Sequence, residues 1–140
     1  MRILVADAQP KVRFALRTLL ERQPVLQVVG EAVDVQELWA QLVATCPDLL
    51  LLDWELPGHK GTDVIPALHL VRPDLAVVVL SGRGEARRLA LSAGADAFVS
   101  KTDPPERLLE TLARHSQGSN RNEDQSGNSD RRSSARPGLY

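Results

Sequence analysis

This chain of 140 residues is predicted to adopt an α/β fold, a doubly wound, five-stranded parallel sheet covered by five helices. Short apolar runs alternate five times with amphipathic stretches, and such a β-then-α order favours a parallel sheet with right-handed crossovers. The runs Leu49–Leu52 and Val77–Leu80 are apolar at every position, which is typical of strands that helices cover on both faces. Only 4% of the residues are aromatic, so the core is expected to be aliphatic.

The five predicted strands follow from the apolar runs and from the residues that interrupt them. Gly30 is expected to break the second strand, and a polar residue ends the first, third and fourth. The predicted strands are Ile3–Ala6, Val25–Val29, Leu49–Leu52, Leu75–Leu80 and Ala97–Val99.

Proline residues bound the first two predicted helices. The first helix is expected to begin near Pro10, whose ring suits a first turn, and to stop at Pro24. Between them, apolar residues recur at helical spacing on one face. Asp34 is the predicted N-cap of the second helix, since Glu37 three residues later gives a variant of the capping box. Pro47 ends that helix.

The three remaining helices follow the third, fourth and fifth strands. The third is expected to begin at Asp63, with Pro66 tolerated only in the first turn. The fourth is a short helix around Leu89 that Gly94 closes. The fifth begins with residues 103–106 and runs to about Arg114.

One folded domain, residues 1–115, is expected to precede a disordered tail, residues 116–140. In the tail, Ser, Asn, Gly, Gln and Arg dominate and apolar residues nearly vanish. Such a segment buries too little apolar surface to offset the entropy lost on ordering. It is also too short for a second domain.

Composition and charge exclude several classes of function. The 17 basic and 18 acidic residues give a formal net charge of −1, which offers no electrostatic footprint for nucleic acid or an anionic membrane. Cys46 is the only cysteine, so a disulfide within the chain is excluded. The sequence has no signal peptide and no apolar stretch long enough to span a bilayer. We therefore expect a cytoplasmic protein without direct contact to nucleic acid or membrane.

Polar residues that follow the predicted strands carry the chemistry. These residues are Asp7, Asp53, Ser81 and Lys101. Ligands of open α/β sheets bind outside the carboxyl ends of the strands, where the strand order reverses. In the strand order 2-1-3-4-5, the strands that end at Asp7 and Asp53 flank that point. Two carboxylates, a hydroxyl and an ammonium are therefore expected to meet in one shallow pocket.

Four motifs surround these strand ends: ILVAD (residues 3–7), LLDWELPG (51–58), VLS (79–81) and GADAFVSK (94–101). In this order and at this spacing they closely resemble the receiver domains of two-component response regulators. The segment VVGEA (28–32) is similar to the branch that usually precedes a helix-turn-helix output domain. The resemblance covers residues 2–114 and implies a flavodoxin-like fold.

The resemblance implies a role for each residue of the pocket. Asp53 would be the carboxylate nucleophile that forms an aspartyl phosphate. Lys101 would pair with the phosphoryl oxygens, and the Ser81 hydroxyl would donate to the phosphoryl group and draw its loop inward. Phe98 matches the aromatic switch position on the signalling face. The chain would then be a signalling domain rather than an enzyme, with at most self-phosphorylation and dephosphorylation.

Mg²⁺ is the cofactor that the resemblance implies, held by the Asp7 and Asp53 side chains and the backbone carbonyl of Glu55. The family normally has two acidic residues at the end of the first strand, whereas here Ala8 follows Asp7. The missing carboxylate is expected to weaken Mg²⁺ binding. Two alternatives stay open: the Glu55 carboxylate supplies an oxygen, or Arg83 pairs with Glu55 and covers the site.

Three functions are weighed against each other. The first is a stand-alone receiver that accepts a phosphoryl group from a histidine kinase or a phosphotransfer protein and signals through a downstream protein partner. The second is a pseudo-receiver that is not phosphorylated and acts as an interaction or dimerisation module, which Ala8 favours. The third, a small α/β enzyme or nucleotide-binding domain, is disfavoured because no glycine-rich phosphate loop follows the first strand. The resemblance also allows a homodimer through the faces of the fourth and fifth helices.

Overall fold

The computed structural model describes the backbone of residues 1–124 and the side chains of residues 1–116. Its strands are β1 (Arg2–Ala6), β2 (Gln27–Ala32), β3 (Leu49–Asp53), β4 (Ala76–Ser81) and β5 (Ala97–Ser100). They form one sheet in the order β2-β1-β3-β4-β5, and each neighbouring pair is parallel. The predicted fold class and strand order are confirmed.

The helices are α1 (Pro10–Glu21), α2 (Val35–Thr45), α3 (Gly61–Val71), α4 (Ala86–Ser92) and α5 (Pro105–Asp124). The predicted cap of α2 is confirmed, because Asp34 Oδ1 accepts a hydrogen bond of 2.8 Å from the Glu37 backbone N–H. The Glu37 carboxylate in turn accepts from the Val33 N–H at 2.9 Å. Within the described residues, no helix combines the length and apolar character that crossing a membrane requires.

The core consists of two apolar layers, one on each face of the sheet. The helices α2, α3 and α4 contribute to one layer, and α1 and α5 to the other. In β3, Leu50 and Leu52 belong to the first layer and Leu49 and Leu51 to the second, because successive side chains of a strand point to opposite faces. All four leucines are at most 2% exposed. The strand is therefore buried on both faces, as predicted, and its end at Asp53 is held in place by packing from both layers.

The prediction that Gly30 breaks the second strand is wrong. β2 continues through Gly30 to Ala32. The pairing with β1 shifts between Ile3 and Leu4, so that Leu4 lies opposite Gly30 and a bulge accommodates one extra residue. A Cβ atom at position 30 would clash with the Gln41 side chain. The glycine therefore marks a close approach between β2 and α2, not a strand end.

The predicted start of the third helix is also wrong. α3 begins at Gly61 rather than Asp63, so Pro66 lies in the second turn. The proline ring removes one backbone hydrogen bond, the one to the carbonyl four residues earlier. Both Pro66 and Thr62 are exposed, so water can bind the carbonyl that is left without its helical partner.

α5 extends to Asp124, beyond the predicted end near Arg114. Once a helix has formed, each further residue adds one backbone hydrogen bond, so polar residues can prolong it. The helix therefore continues into the predicted tail of residues 116–140. Residues 125–140 lie outside the described residues, and disorder there stays a prediction.

Candidate functional site

The sheet brings the four predicted polar residues to one edge. Asp7 follows β1, Asp53 and Ser81 end β3 and β4, and Lys101 follows β5. Because β1 and β3 are neighbours, with Ala6 opposite Leu52, the two aspartates leave the sheet side by side. The Lys101 backbone N–H donates to the Ser81 carbonyl at 2.8 Å, which extends the pairing of β4 and β5 to the pocket.

The Lys101 ammonium lies between the two carboxylates. Its Nζ atom is 2.8 Å from Asp7 Oδ2 and 3.3 Å from Asp53 Oδ1. The side chains of Asp7 and Asp53 are 1% and 6% exposed, and that of Lys101 is 25% exposed. A buried carboxylate is strongly unfavourable unless it is paired and hydrogen-bonded. The ammonium is therefore what allows two carboxylates to occupy the same pocket.

Burial and neighbouring charges change the ionisation of this group. Burial raises the pKa of Asp53 above its ordinary value, and the negative charge of Asp7 adds to the rise. The Glu55 backbone N–H and the Lys101 ammonium act in the opposite direction because they stabilise the ionised form. For Lys101, burial lowers the pKa, but the hydrogen bond to Asp7 and the charges of both aspartates outweigh burial and raise it. Lys101 therefore stays charged at neutral pH.

Each aspartate is oriented by the loop that follows it. Asp7 Oδ1 accepts a hydrogen bond of 2.9 Å from the Gln9 N–H, and Asp53 Oδ1 accepts one of 3.0 Å from the Glu55 N–H. Both bonds reach two residues along the chain, a local pattern that fixes an aspartate against its own backbone. Asp53 Oδ2 has no hydrogen bond or ion pair within the described part of the chain. This oxygen is free to react or to bind a cation.

Ser81 is held by a second polar group beside the aspartates. Its Oγ atom donates to Glu55 Oε1 at 3.3 Å and accepts from the Arg83 N–H at 3.0 Å. Arg83 Nη1 lies 3.9 Å from Glu55 Oε2, while its Nε atom is 3.6 Å from Glu85. The pairing of Arg83 with Glu55 is thus present as a long contact. The Glu55 carboxylate lies with Ser81, not with the two buried aspartates.

The donor set fits Mg²⁺ in kind, since carboxylate and carbonyl oxygens are its preferred protein ligands. Asp7 and Asp53 already meet around one cation, the Lys101 ammonium. A further acid is missing where Ala8 stands. Among the described residues, no three His, Cys, Asp or Glu side chains form a group that could hold a metal ion. The side chains alone therefore supply fewer oxygens than a strong Mg²⁺ site needs.

Arg13 is a neighbour of the site that the sequence analysis missed. Its Nη1 atom donates to the Asp7 carbonyl at 2.8 Å, and its Nε atom pairs with Glu31 at 2.9 Å. Arg17 pairs with Glu31 at 2.8 Å. Although burial raises the pKa of Glu31, the two guanidinium groups outweigh it, so the pKa is lowered. The charge network ties α1 to β2 beside the loop after Asp7, and no local sequence pattern signals such a contact.

Phe98 lies on β5, half-buried and apart from the acidic pocket. The Arg87 guanidinium of α4 lies 6.0 Å from the centre of the Phe98 ring. The strand β5 connects this position to the pocket, since Ser100 pairs with Ser81 and Lys101 comes next. The predicted switch role of Phe98 is compatible with this location and stays a prediction.

The sequence matches known proteins over its folded part. A family model described as the response regulator receiver domain matches residues 3–113. The transcriptional regulatory protein YhcZ of Bacillus subtilis is 34% identical over 117 residues, which cover 82% of this chain and 55% of YhcZ. The phosphate regulon transcriptional regulatory protein PhoB of Escherichia coli is 38% identical over 117 residues, or 77% of this chain and 48% of PhoB. The chain thus spans about half the length of these relatives.

Solved structures share the same fold. The isolated REC domain of RcsB from Salmonella enterica serovar Typhimurium, determined with the phosphomimetic BeF₃⁻, is similar with a TM-score of 0.79 and 28% identity, covering 84% of this chain and 89% of that chain. The response regulator domain of Thermotoga maritima CheB is similar with a TM-score of 0.73 and 25% identity, covering 81% and 94%. These matches agree with the resemblance read from the four motifs. The chain belongs to the response regulator receiver domain family.

Proposed function

We propose that Asp53 accepts a phosphoryl group and that this modification is the input signal of the chain. Receiver domains act in two-component signalling, generally bind Mg²⁺ at an acidic pocket, and interact with histidine kinases or phosphotransfer proteins. The observation that carries the proposal is the Lys101 ammonium 3.3 Å from Asp53 Oδ1, beside an Asp53 Oδ2 that has no partner among the described residues. A phosphoryl group on that oxygen would have a cation next to it.

The step is a displacement at phosphorus. The Asp53 carboxylate oxygen forms a bond to the phosphorus atom, and the bond between phosphorus and the donor's leaving atom breaks, with the electron pair going to the leaving group. Lys101 stabilises the charge on the phosphoryl oxygens. The Ser81 hydroxyl, 3.3 Å from Glu55, exchanges that acceptor for a phosphoryl oxygen. Asp53 must be ionised to react, which Lys101 supports.

Mg²⁺ would be held by Asp7, Asp53 and the backbone carbonyl of Glu55, and would supply positive charge to the phosphoryl oxygens. With Ala8 in place of an acid, the chain is expected to need a higher Mg²⁺ concentration than a receiver with both acids. Asp7 also keeps its bond to Lys101, so this carboxylate is shared between two cations.

A histidine kinase or a phosphotransfer protein would supply the phosphoryl group, and a downstream protein partner would receive the signal. The relatives YhcZ and PhoB are transcriptional regulatory proteins, so regulation of transcription is the output we favour. Function without an output domain stays a prediction.

The test is phosphorylation by acetyl phosphate, followed by intact mass. The purified chain is incubated with the donor in Mg²⁺ and in chelator, beside Asp53→Ala and the control Asp63→Ala, which removes an exposed aspartate of α3. A phosphate adduct in the wild type and in Asp63→Ala, absent from Asp53→Ala, supports the proposal. An adduct that persists in Asp53→Ala refutes it.

A phosphorylation-independent pseudo-receiver is the second candidate, and the Asp7–Ala8 pair favours it. In this reading Lys101 serves only to neutralise the two buried aspartates. The variant Ala8→Asp separates the candidates, because position 8 is exposed and tolerates a carboxylate. No adduct in the wild type, together with a Mg²⁺-dependent adduct in Ala8→Asp, would establish that Ala8 disables the site.

A further inference from the structure

Glu31 lies at the pocket end of β2 and holds two arginines of α1. Its Oε1 atom accepts a hydrogen bond of 2.9 Å from Arg13 Nε, and its Oε2 atom accepts one of 2.8 Å from Arg17 Nε. The next residue of β2, Ala32, accepts a backbone hydrogen bond of 2.9 Å from the Asp7 N–H. The Glu31 carboxylate and its two guanidinium groups therefore lie beside the strand end that carries Asp7.

Arg13 approaches the acidic pocket from the first turn of α1. Its Nη1 atom donates to the backbone carbonyl of Asp7 at 2.8 Å, and the carboxylate of the same aspartate binds the Lys101 ammonium. The Arg13 side chain is only 16% exposed, and a charge removed from water in this way needs an opposite charge beside it. Among the described residues, Glu31 is the one carboxylate that pairs with Arg13.

Arg17 differs from Arg13 because it has a second carboxylate partner. Glu21, one helical turn further along α1, pairs with Arg17 Nη1 at 3.0 Å. Loss of the Glu31 carboxylate would therefore leave Arg17 paired and Arg13 without a carboxylate. The residue that Arg13 already contacts, Asp7, carries the carboxylate that its guanidinium would then reach.

Such a displaced guanidinium would change the charge of the pocket. Asp7 and Asp53 supply two negative charges and Lys101 one positive charge, so an excess of one negative charge is left to attract a cation. A further guanidinium would cancel that excess and compete for the Asp7 carboxylate. With Ala8 next in the sequence, no second acid follows β1 to replace Asp7 as a ligand.

We propose that Glu31 is a positioning residue for divalent cation binding, because it keeps the Arg13 guanidinium on the Asp7 carbonyl and away from the Asp7 and Asp53 carboxylates. Glu31 acts through Arg13 and does not touch the cation. The inference rests on the proposed function in one respect: Mg²⁺ is the cation that phosphoryl transfer to Asp53 would use. By this arrangement the pocket keeps a cation site although Ala8 supplies no acid.

A purely structural link between α1 and β2 is the alternative role for the same contacts. It predicts a loss of stability when Glu31 is replaced, but no dependence of Mg²⁺ affinity on Arg13. The positioning role predicts that Mg²⁺ affinity falls when Glu31 is lost and recovers when Arg13 is removed as well. The recovery separates the two roles.

The measurement is Mg²⁺ binding to the full chain by isothermal titration calorimetry, without a phosphoryl donor. The test variant is Glu31→Met, which keeps the length of the side chain and removes both acceptors. The matched control is Glu21→Met, which changes the net charge equally and removes a pair on the exposed side of α1. Asp53→Ala shows which part of the heat comes from the acidic pocket. If the wild type binds Mg²⁺ too weakly to measure, all variants are compared in an Ala8→Asp background.

We expect Glu31→Met to weaken Mg²⁺ binding at least about fivefold and Glu21→Met to change it by at most about twofold. Adding Arg13→Met to Glu31→Met should tighten binding at least about twofold relative to Glu31→Met alone. Adding Arg17→Met instead should not. Equal recovery with Arg17→Met would overturn the proposal, because it would show a response to net charge alone. Unchanged affinity in a folded Glu31→Met would overturn it too.

Urea unfolding establishes which variants are folded. If Glu31→Met does not fold, Glu31→Gln replaces it; its amide oxygen keeps one acceptor, so the expected weakening is smaller, at least about twofold, and an unchanged affinity again overturns the proposal. Absence of Mg²⁺ binding in both the wild type and Ala8→Asp would also overturn it.

The acetyl phosphate assay separates this proposal from the preceding one. Mg²⁺ binding that depends on Glu31 and recovers with Arg13→Met supports the positioning role even if no phosphate adduct forms on Asp53. A phosphate adduct on Asp53, together with Mg²⁺ affinity that Glu31→Met leaves unchanged, refutes the positioning role and leaves Asp53 as the acceptor.

Discussion

Replacing Lys101 by methionine tests the electrostatic account of the pocket. Methionine keeps the apolar stem but removes the charge that lies 2.8 Å from Asp7 and 3.3 Å from Asp53. Removing one partner of a buried ion pair costs about 3–5 kcal/mol, because the remaining charge stays buried without compensation. The Lys101 side chain is 25% exposed, so some solvent screening applies and we expect a loss near the lower end, about 3 kcal/mol.

The loss should depend on pH in a defined direction. The pKa of Asp53 is raised above its ordinary value of 3.8 in the folded chain, so ionisation of Asp53 destabilises the fold as pH rises through the folded pKa. Lys101→Met removes an attraction that holds this pKa down, and therefore raises it further. The deficit is largest at neutral pH and shrinks as pH falls and Asp53 takes up a proton.

The measurement is urea unfolding in the presence of a chelator, at neutral and at mildly acidic pH, read by tryptophan fluorescence. Lys11→Met is the control, since Lys11 is exposed and has no ion pair among the described residues. Adding Asp53→Asn to Lys101→Met should recover part of the lost stability. A deficit below about 1 kcal/mol at neutral pH, which is the range of a surface pair, would refute the reasoning. So would a deficit that is the same at both pH values.

Three further substitutions test local packing, helix capping and the charge network beside the loop after Asp7. Gly61→Ala would place a Cβ atom 2.6 Å from Trp54 Cε3. It should lower the unfolding free energy by about 1–3 kcal/mol and shift the tryptophan emission, whereas Gly84→Ala, with nothing within 4 Å, should change stability by at most about 0.5 kcal/mol. Asp34→Ala should lower the unfolding free energy by about 1 kcal/mol in urea melts, through the lost α2 cap. Arg13→Ala should lower the unfolding free energy by about 1.5–3 kcal/mol and speed amide hydrogen exchange in the loop before α1. Unchanged exchange in that loop would show that Arg13 does not hold it in place.

The sequence by itself determines the fold class and the location of the site. An apolar run without alternation, such as Leu49–Leu52, has to be buried on both faces, and helices on both sides of a parallel sheet provide that burial. Parallel strands end at the same edge, so polar residues after the apolar runs were expected to converge there, and Asp7, Asp53 and Lys101 do converge. The cap by Asp34 was predictable because its partner, Glu37, is three residues away.

Only the tertiary structure decides which of these residues touch. Lys101 and Asp7 are 94 positions apart, and their contact depends on strand order and on the register at which β5 meets its neighbours. The same holds for Glu55, which lies with Ser81, and for Arg13, which donates to the Asp7 carbonyl. Glycine often interrupts a strand. Gly30 nevertheless stays within β2, because β2 pairs with β1 on both sides of it and α2 packs closely against it. Local patterns fix periodicity and burial, whereas contacts between distant residues follow from how the elements pack.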